Sequence, residues 1–149
     1  MKDRPDTPAE LKARALRHLA RREHARAELA RKLAPHATSG EALQALLSEL
    51  EQKRQLSDER YAESRAHAMA RKYGAARIRQ DLKAKGVAEE VIERISAAGE
   101  LETARAILQR KYRQPASTRE ERARRARFLQ GRGFSYDVIH RLVSSKDPD

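Results

Sequence analysis

The side chains that could catalyse a reaction or bind a metal do not occur at the spacings that such chemistry requires. The histidines show neither an H-x-x-x-H nor an H-E-x-x-H pattern, and the sequence has no cysteine. The two common glycine-rich phosphate-binding loops are absent, and no candidate nucleophile is followed by a base. The five histidines are His18, His24, His36, His67 and His140. We therefore predict that the protein is not an enzyme and has no catalytic residue, metal or cofactor.

Positive charge is the chemical property that this sequence has in excess. Its 33 Lys and Arg residues outnumber 22 Asp and Glu residues, and a formal net charge of +11 attracts a polyanion or an acidic protein surface. Residues 12–32 hold eight basic and two acidic residues, residues 71–85 six and one, and residues 119–132 six and two. The sequence therefore predicts basic helices that recur along the chain.

Two pairs of cations would lie close together on such helices. Arg79 and Lys83 are four residues apart, and Arg124 and Arg127 are three apart. Like charges at these spacings cost on the order of 0.2–0.5 kcal/mol per pair on a helix, and a bound anion would remove that cost. The alternative interpretation is that the basic stretches are solvent-exposed faces with no ligand.

Several other side chains near the basic stretches have an expected role. Arg77 has Asp81 four residues later, so we expect the two to pair within the helix. Tyr73 and Tyr112 each follow a lysine at a helix end and are the candidates for stacking on nucleic-acid bases. Phe134 lies over a valine of the preceding repeat, described below, and is expected in the core.

The composition predicts an all-α protein. Only 4% of residues are aromatic, tryptophan is absent, and 6 Gly and 5 Pro leave few turns for a many-stranded sheet. Ala, Leu, Arg, Glu and Lys, which dominate, are strong helix formers. No apolar run approaches the roughly 20 residues of a membrane helix, and residues 1–8 lack the apolar stretch of a signal peptide. We expect a soluble, cytoplasmic, monomeric protein.

The first part of the chain shows three helices with separate start and stop signals. A capping box at residues 7–10 opens a helix over about residues 8–22. A short second helix stops before Pro35, because proline disfavours a helical residue ahead of it. A second capping box, beginning at Thr38, opens a third helix. The apolar residues at helical spacing in that helix are Leu43, Leu46, Leu47 and Leu50.

The three-helix pattern returns twice. Residues 82–95 lie over residues 129–142 at a constant offset of 47, so that Gly86 and Gly133 both end a helix. A unit whose helices each have one thin apolar stripe must bury that stripe against a neighbour, which predicts about nine helices stacked into an elongated, curved array. The predicted three-helix units are residues 1–56, 57–99 and 100–149.

Individual boundaries within the later units are also predicted. Ser57 caps the first helix of the second unit. The apolar residues Val91, Ile92 and Ile95 mark its third helix. In the last unit the chain breaks at a proline and restarts a helix at Ser117 or Thr118.

These residues resemble those of the RecX family of bacterial regulatory proteins. The resemblance covers about residues 10–143. The chain departs from the family at Arg54-Gln55, ahead of Leu56, where a glycine is usual, and at Arg125, which lies over Ile78 of the preceding repeat. The segments that carry the resemblance are residues 15–17, 26–29, 32–33, 56–62, 71–78, 82–87 and 127–139.

The resemblance implies a regulator of the RecA recombinase. Members of this family lie in the helical groove of the RecA filament on single-stranded DNA, commonly inhibit strand exchange and ATP hydrolysis, and bind some DNA themselves, so we expect single-stranded and double-stranded DNA as further partners. The contacts would come from basic residues at positions matched to the family. The predicted filament- or DNA-binding residues are Arg77, Arg79, Lys83, Lys85, Arg124, Arg125, Arg127, Arg132, Arg21, Arg22 and Arg31.

Two other functions are open to a chain of this kind. One is a helix-turn-helix DNA-binding protein without a recombinase partner. Asparagine is absent and no second helix has a base-reading face, both of which disfavour it. The other is a helical scaffold whose charge serves only solubility. Binding to an operator sequence would favour the first, and failure to bind DNA or filament at low salt would favour the second.

Overall fold

The computed structural model describes residues 4–144, which form nine α-helices and one short 3₁₀ helix (Ala34–His36) and include no strand. The all-α prediction is confirmed for this part of the chain. The helices are α1 (Pro8–Arg21), α2 (Arg26–Leu33), α3 (Gly40–Gln52), α4 (Asp58–Met69), α5 (Ala75–Ala84), α6 (Glu89–Ile92), α7 (Glu100–Lys111), α8 (Arg119–Gly131) and α9 (Tyr136–Val143).

Three of the four predicted helix caps are present in the structure. The Thr7 hydroxyl accepts from the backbone N–H of Glu10 at 3.2 Å, and the Glu10 carboxylate accepts from the N–H of Thr7 at 2.9 Å, which completes the capping box. Ser57 and Thr118 cap α4 and α8 as predicted.

The capping box predicted at Thr38 is wrong. Ser39 is the N-cap of α3, with an extended backbone and its hydroxyl accepting from the N–H of Ala42 at 3.0 Å. Because α3 begins at Gly40, the short hydroxyl side chain one residue after Thr38 is the one in reach of the first free amides.

The chain divides into two compact units. Unit 1 is Met1–Ser64 with Leu82–Ile92, and unit 2 is Arg65–Asp81 with Glu93–Asp149. Helices α4 and α5 therefore each contribute residues to both units. The core of unit 1 contains leucines from α1, α2 and α3, and the core of unit 2 is built on α7, α8 and α9 around Leu129 and Phe134.

The predicted offset of 47 residues appears in the structure. Leu82 and Leu129 are both fully buried. Gly86 and Gly133 both have left-handed backbone, with φ values of 80° and 89°, as expected of residues that end a helix. The predicted core position of Phe134 is confirmed.

The third helix of the middle repeat is shorter than predicted. Helix α6 spans only Glu89–Ile92, and Ile95 lies outside it. The carbonyl of Ile95 accepts from the guanidinium of Arg79 at 2.6 Å, and the N–H of Ala98 donates to the hydroxyl of Ser96 at 3.0 Å. These side-chain bonds replace the backbone bonds that would have continued the helix.

The carboxylate of Asp58, the first residue of α4, accepts hydrogen bonds from the backbone at the starts of α2 and α6. Asp58 accepts from the N–H of Arg26, the first residue of α2, at 2.8 Å and from the N–H of Ala88 at 3.4 Å. Helix α2 has no cap from its own N-cap residue, Ala25, so Asp58 supplies one.

Glu100 repeats this arrangement in unit 2. It is the first residue of α7, is buried, and accepts from the N–H of Ala75, the first residue of α5, at 2.5 Å and from the N–H of Ser135 at 3.4 Å. Ser135 lies 47 residues after Ala88, so the two carboxylates occupy equivalent places in the repeat. Each one satisfies backbone donors that a helix start leaves unpaired.

Arg54 carries a backbone strain that a glycine would remove. It follows α3 with a left-handed φ of 61°. Left-handed backbone costs a non-glycine residue roughly 1–2 kcal/mol, partly offset by the extra freedom of glycine in the unfolded chain. We predict that Arg54→Gly raises the free energy of unfolding by about 0.5–1 kcal/mol in urea titrations. Arg54→Ala, which removes the charge but keeps the strain, is the control, and equal stabilisation by both variants would contradict the account.

His24 is a buried histidine held in its neutral form. Its Nδ1 lies 3.1 Å from the carbonyl of Arg22, and its Nε2 lies 2.9 Å from Nζ of Lys32. Because an ammonium only donates, Nε2 accepts and the proton sits on Nδ1. Burial lowers the pKa of His24 below its ordinary value, and the charges of Arg22 and Lys32 lower it further. Burial and Lys32 likewise lower the pKa of His18, whose ring centroid lies 5.7 Å away.

These lowered pKa values predict that unit 1 loses stability as the pH falls below about 6.5. Between the folded-state pKa values and about 6.5, the unfolded chain binds more protons than the folded one, so stability is full above about pH 6.5 and falls as the pH drops below it. Urea midpoints measured from pH 7.5 down to about 5 should decline. The decline should persist in His67→Gln, an exposed control, and flatten in His18→Gln/His24→Gln. A constant midpoint in the unmodified chain would refute the assignment.

Candidate polyanion interface

Positive charge is divided unequally between the two compact units. Counted over residues 4–144, unit 2 has 17 Lys and Arg residues against 7 Asp and Glu, a formal charge of +10. Unit 1 has 14 against 12, a formal charge of +2. The charge difference follows the compact units rather than the predicted repeats, because the middle repeat contributes most of its basic residues to unit 2 and most of its acidic residues to unit 1.

Seven of the 14 Lys and Arg residues that unit 1 has within residues 4–144 form ion pairs with carboxylates. Hydrogen bonds from Lys12 and Lys53 hold the pKa of Glu49 below its ordinary value. The carboxylate of Glu49 thus offsets positive charge within unit 1. In unit 2 the corresponding ion pair is Arg65 with Asp81 at 2.9 Å. The ion pairs of unit 1 are Arg4–Glu10, Lys12–Glu49, Arg14–Asp6, Arg22–Glu28, Arg26–Glu51, Lys53–Glu49 and Arg60–Glu23.

Unit 2 contains an open cavity of about 410 Å³ whose charged lining residues are all cations, which we call the basic cleft. Two Arg-Lys-Tyr segments, residues 71–73 after α4 and residues 110–112 at the end of α7, contribute to it. Cations at helix C-termini are favoured there by the helix dipole. The residues that line the basic cleft are Lys72, Tyr73, Ile107, Arg110, Lys111, Phe128 and Arg132.

Aromatic rings position the cations of the basic cleft. The guanidinium of Arg132 lies 5.3 Å from the ring centroid of Tyr73 and 5.1 Å from that of Phe128, and it donates to the carbonyl of Lys72 at 3.1 Å. Arg77 lies 5.0 Å from the Tyr73 ring, and Lys111 lies 5.0 Å from Phe128. Cation–π contacts of this kind contribute about 0.5–1 kcal/mol each at exposed sites. The ring faces are thus in contact with cations, which limits the base stacking predicted for Tyr73.

Of the predicted contact residues, six lie in unit 2. Arg77 and Arg132 converge on Tyr73. Arg79 is half-buried and holds the carbonyl of Ile95. Arg124 and Arg127 are exposed on α8.

The sixth, Arg125, is structural rather than free. Its guanidinium lies 4.3 Å from the ring of Tyr112 and donates to the carbonyl of Gln114 at 2.8 Å. Its Nε is buried and has no hydrogen-bond partner within the described chain. The cation thus occupies the place that Ile78 holds in the preceding repeat.

The predicted pairing of Arg77 with Asp81 is wrong. The carboxylate of Asp81 accepts from Arg65 of α4 at 2.9 Å and 3.2 Å. Arg77 instead donates to the carbonyl of Gly131 at 2.9 Å. Arg65 donates through Nε and Nη2 to both carboxylate oxygens of Asp81, a bidentate pair, and Arg77 forms no ion pair with Asp81.

The other five predicted contact residues lie in unit 1. Arg22 pairs with Glu28 at 2.6 Å, so its charge is neutralised. Arg21, Arg31 and Lys83 are exposed, and Lys85 is half-buried.

Sequence reasoning missed Lys72, Arg110 and Lys111 in the basic cleft. The signal that could have found them is the tripeptide Arg-Lys-Tyr, which occurs twice, 39 residues apart. Only its tyrosines were predicted to have a role.

Within residues 4–144, no group of three or more His, Cys, Asp or Glu side chains could hold a metal ion. No helix in that range is both long and apolar enough to cross a membrane.

Known families match two segments of the chain. Residues 57–94 match the family described as "RecX, second three-helix domain". Residues 98–143 match the family described as "RecX, third three-helix domain".

Whole proteins of similar sequence and fold are also found. A regulatory protein RecX of Herbaspirillum seropedicae is 50% identical over 138 residues, covering 91% of this chain and 90% of that protein. One of Ralstonia nicotianae is 44% identical over 146 residues, covering 96% and 92%. The crystal structure of RecX from Lactobacillus salivarius has a TM-score of 0.81 at 22% identity, covering 91% of this chain and 94% of that one, and shows the same fold.

Proposed function

Because this chain belongs to the RecX family of regulatory proteins, we propose that it binds the RecA filament on single-stranded DNA, in its groove, and inhibits recombination and ATP hydrolysis by the recombinase. The protein performs no chemistry of its own in this function. It acts in the cytoplasm as a monomer, as a stack of three-helix repeats that lies along the filament.

The observation that best supports this proposal is the concentration of unneutralised charge in unit 2. A formal charge of +10 in residues 65–81 and 93–144 is matched there by few ion pairs, so that unit attracts a polyanion over a distance of about a Debye length, roughly 10 Å at 0.1 M salt. A DNA-containing filament is such a polyanion.

Inhibition follows from occupancy. Many modest contacts along successive recombinase protomers add up through high effective concentration, so no single hot spot is required. The exposed cations that we assign to these contacts are Arg77, Arg124 and Arg127 in unit 2, and Arg21, Arg31 and Lys83 in unit 1.

The test is the rate of ATP hydrolysis by RecA on single-stranded DNA. Addition of the chain should lower the rate to a plateau at substoichiometric or equal amounts relative to recombinase. A lysine-rich peptide of equal net charge is the control and should have a smaller effect at matched concentration. An unchanged rate with the chain, or equal inhibition by the peptide, would refute the proposal.

A further inference from the structure

The basic cleft adjoins a second cavity of about 590 Å³ in unit 2. The two cavities share Lys72 and Arg110, and the second is lined in addition by Arg71, Thr103 and Ala106. The two cavities therefore adjoin at these cations. We call the two cavities together the basic track, and its cations are Arg71, Lys72, Arg110, Lys111 and Arg132.

The basic track has no internal counter-charge. No aspartate or glutamate lines either cavity, and none of its five cations forms an ion pair with a residue of the described chain. The side chains of Lys72 and Arg110 are exposed and make no hydrogen bond within residues 4–144. Their donors are therefore available to an external anion, which would also remove the mutual repulsion of the cations.

We propose that the basic track binds the sugar-phosphate backbone of a single-stranded nucleic acid, an inference that rests on the proposed function for the presence of such a strand in the filament. Two adjoining cavities with cations along both fit a chain that carries a charge at every repeat. A duplex presents its phosphates on a stiff convex cylinder and does not enter a concave path of this size. A single strand bends enough to do so.

The contacts of the aromatic rings favour binding to the phosphates of the strand over stacking on its bases. The faces of Tyr73 and Phe128 are in contact with Arg77, Arg132 and Lys111, so the rings orient cations toward phosphates instead of stacking on bases. Binding is therefore independent of base sequence and strongly dependent on salt. An extended acidic peptide is the competing ligand, and the experiment includes it.

The experiment measures fluorescence anisotropy of a labelled oligothymidylate of about 20 nucleotides with the full chain, without recombinase. Lys72→Gln/Arg110→Gln removes two track cations that the fold does not use. Arg119→Gln/Arg141→Gln is the matched control, because it removes two exposed cations of unit 2 outside the track and lowers the net charge equally. Circular dichroism checks that both variants keep their helicity.

We expect the track variant to weaken binding about tenfold at roughly 0.1 M salt and to reduce the slope of log K against log salt by about 1.4, two phosphate contacts at about 0.7 each. The control variant should lose less than about twofold. Equal losses in the two variants would overturn the proposal, and so would competition by polyglutamate as effective as competition by unlabelled oligothymidylate.

The two experiments distinguish an error in the assignment of the basic track from an error in the proposed function. If the track variant binds oligothymidylate normally yet the unmodified chain inhibits RecA, the track assignment is wrong and the proposed function stands. If the track variant loses oligothymidylate binding while the unmodified chain leaves RecA unaffected, the track is supported and the proposed function is wrong.

Discussion

Gly133→Ala is expected to destabilise unit 2 by about 2–4 kcal/mol, the largest effect of any single substitution considered. Gly133 has a left-handed φ of 89°, which costs an alanine roughly 1–2 kcal/mol. An added Cβ would also lie 2.5 Å from the backbone nitrogen of Arg77, so that two backbone segments must separate, at a cost of about 1–3 kcal/mol. The carbonyl of Gly133 accepts from the N–H of Ala76 at 3.3 Å, and that bond would be disturbed.

Gly131→Ala is the matched control two residues earlier. Gly131 is the last residue of α8, and an added Cβ there meets nothing within 4 Å. Alanine in that position should leave stability unchanged or raise it by about 0.5–1 kcal/mol. Urea unfolding followed by circular dichroism, with hydrogen exchange of unit 2 amides, compares the two variants. Equal stability of Gly133→Ala and the unmodified chain would show that the close approach of Gly133 and Arg77 is misjudged.

Glu100→Ala is expected to lower the free energy of unfolding by about 2–3 kcal/mol. The substitution leaves the buried N–H of Ala75 and the N–H of Ser135 without an acceptor, and an unsatisfied buried donor costs roughly 1–3 kcal/mol. Glu100→Gln keeps one acceptor oxygen and should lose about half as much. Glu102→Ala, at an exposed position two residues later, is the control and should lose less than about 0.5 kcal/mol.

The outcome of the Glu100 series separates a structural carboxylate from a surface charge. The same urea titrations report it, with hydrogen exchange at Ala75 and Ser135 as the local readout. Faster exchange at both amides in Glu100→Ala supports the shared cap. Indistinguishable midpoints for Glu100→Ala and Glu102→Ala would contradict it.

The repeat was predictable because its copies have the same types of residue at matching positions. Leu82 and Leu129 are buried alike, and Gly86 and Gly133 end their helices with the same backbone, since a buried leucine and a left-handed glycine leave local signatures in a sequence. The family followed from the same segments. Boundaries set by local hydrogen bonds, such as Ser57 and Thr118, were predictable for the same reason.

Features that depend on contacts between distant residues were not predictable. Arg77 has an aspartate at helical spacing, yet the carboxylate of Asp81 pairs with Arg65, which tertiary packing places beside it. The end of α6 depends on Arg79 reaching Ile95, 16 residues later. The basic cleft depends on two Arg-Lys-Tyr segments meeting in space, and no local rule brings them together.

Recognition of the filament is tested directly by binding of the fluorescently labelled chain to RecA filaments on single-stranded DNA, beside the same DNA alone, from about 50 to 200 mM salt. Phosphate contacts weaken steeply as counterions compete, whereas contacts to the recombinase that do not depend on charge weaken less. We expect the chain to bind both the filament and bare DNA at low salt, and to stay bound to the filament at salt concentrations where binding to bare DNA is lost. Identical salt dependence with and without recombinase, or no binding to the filament at the lowest salt, would refute the proposed function.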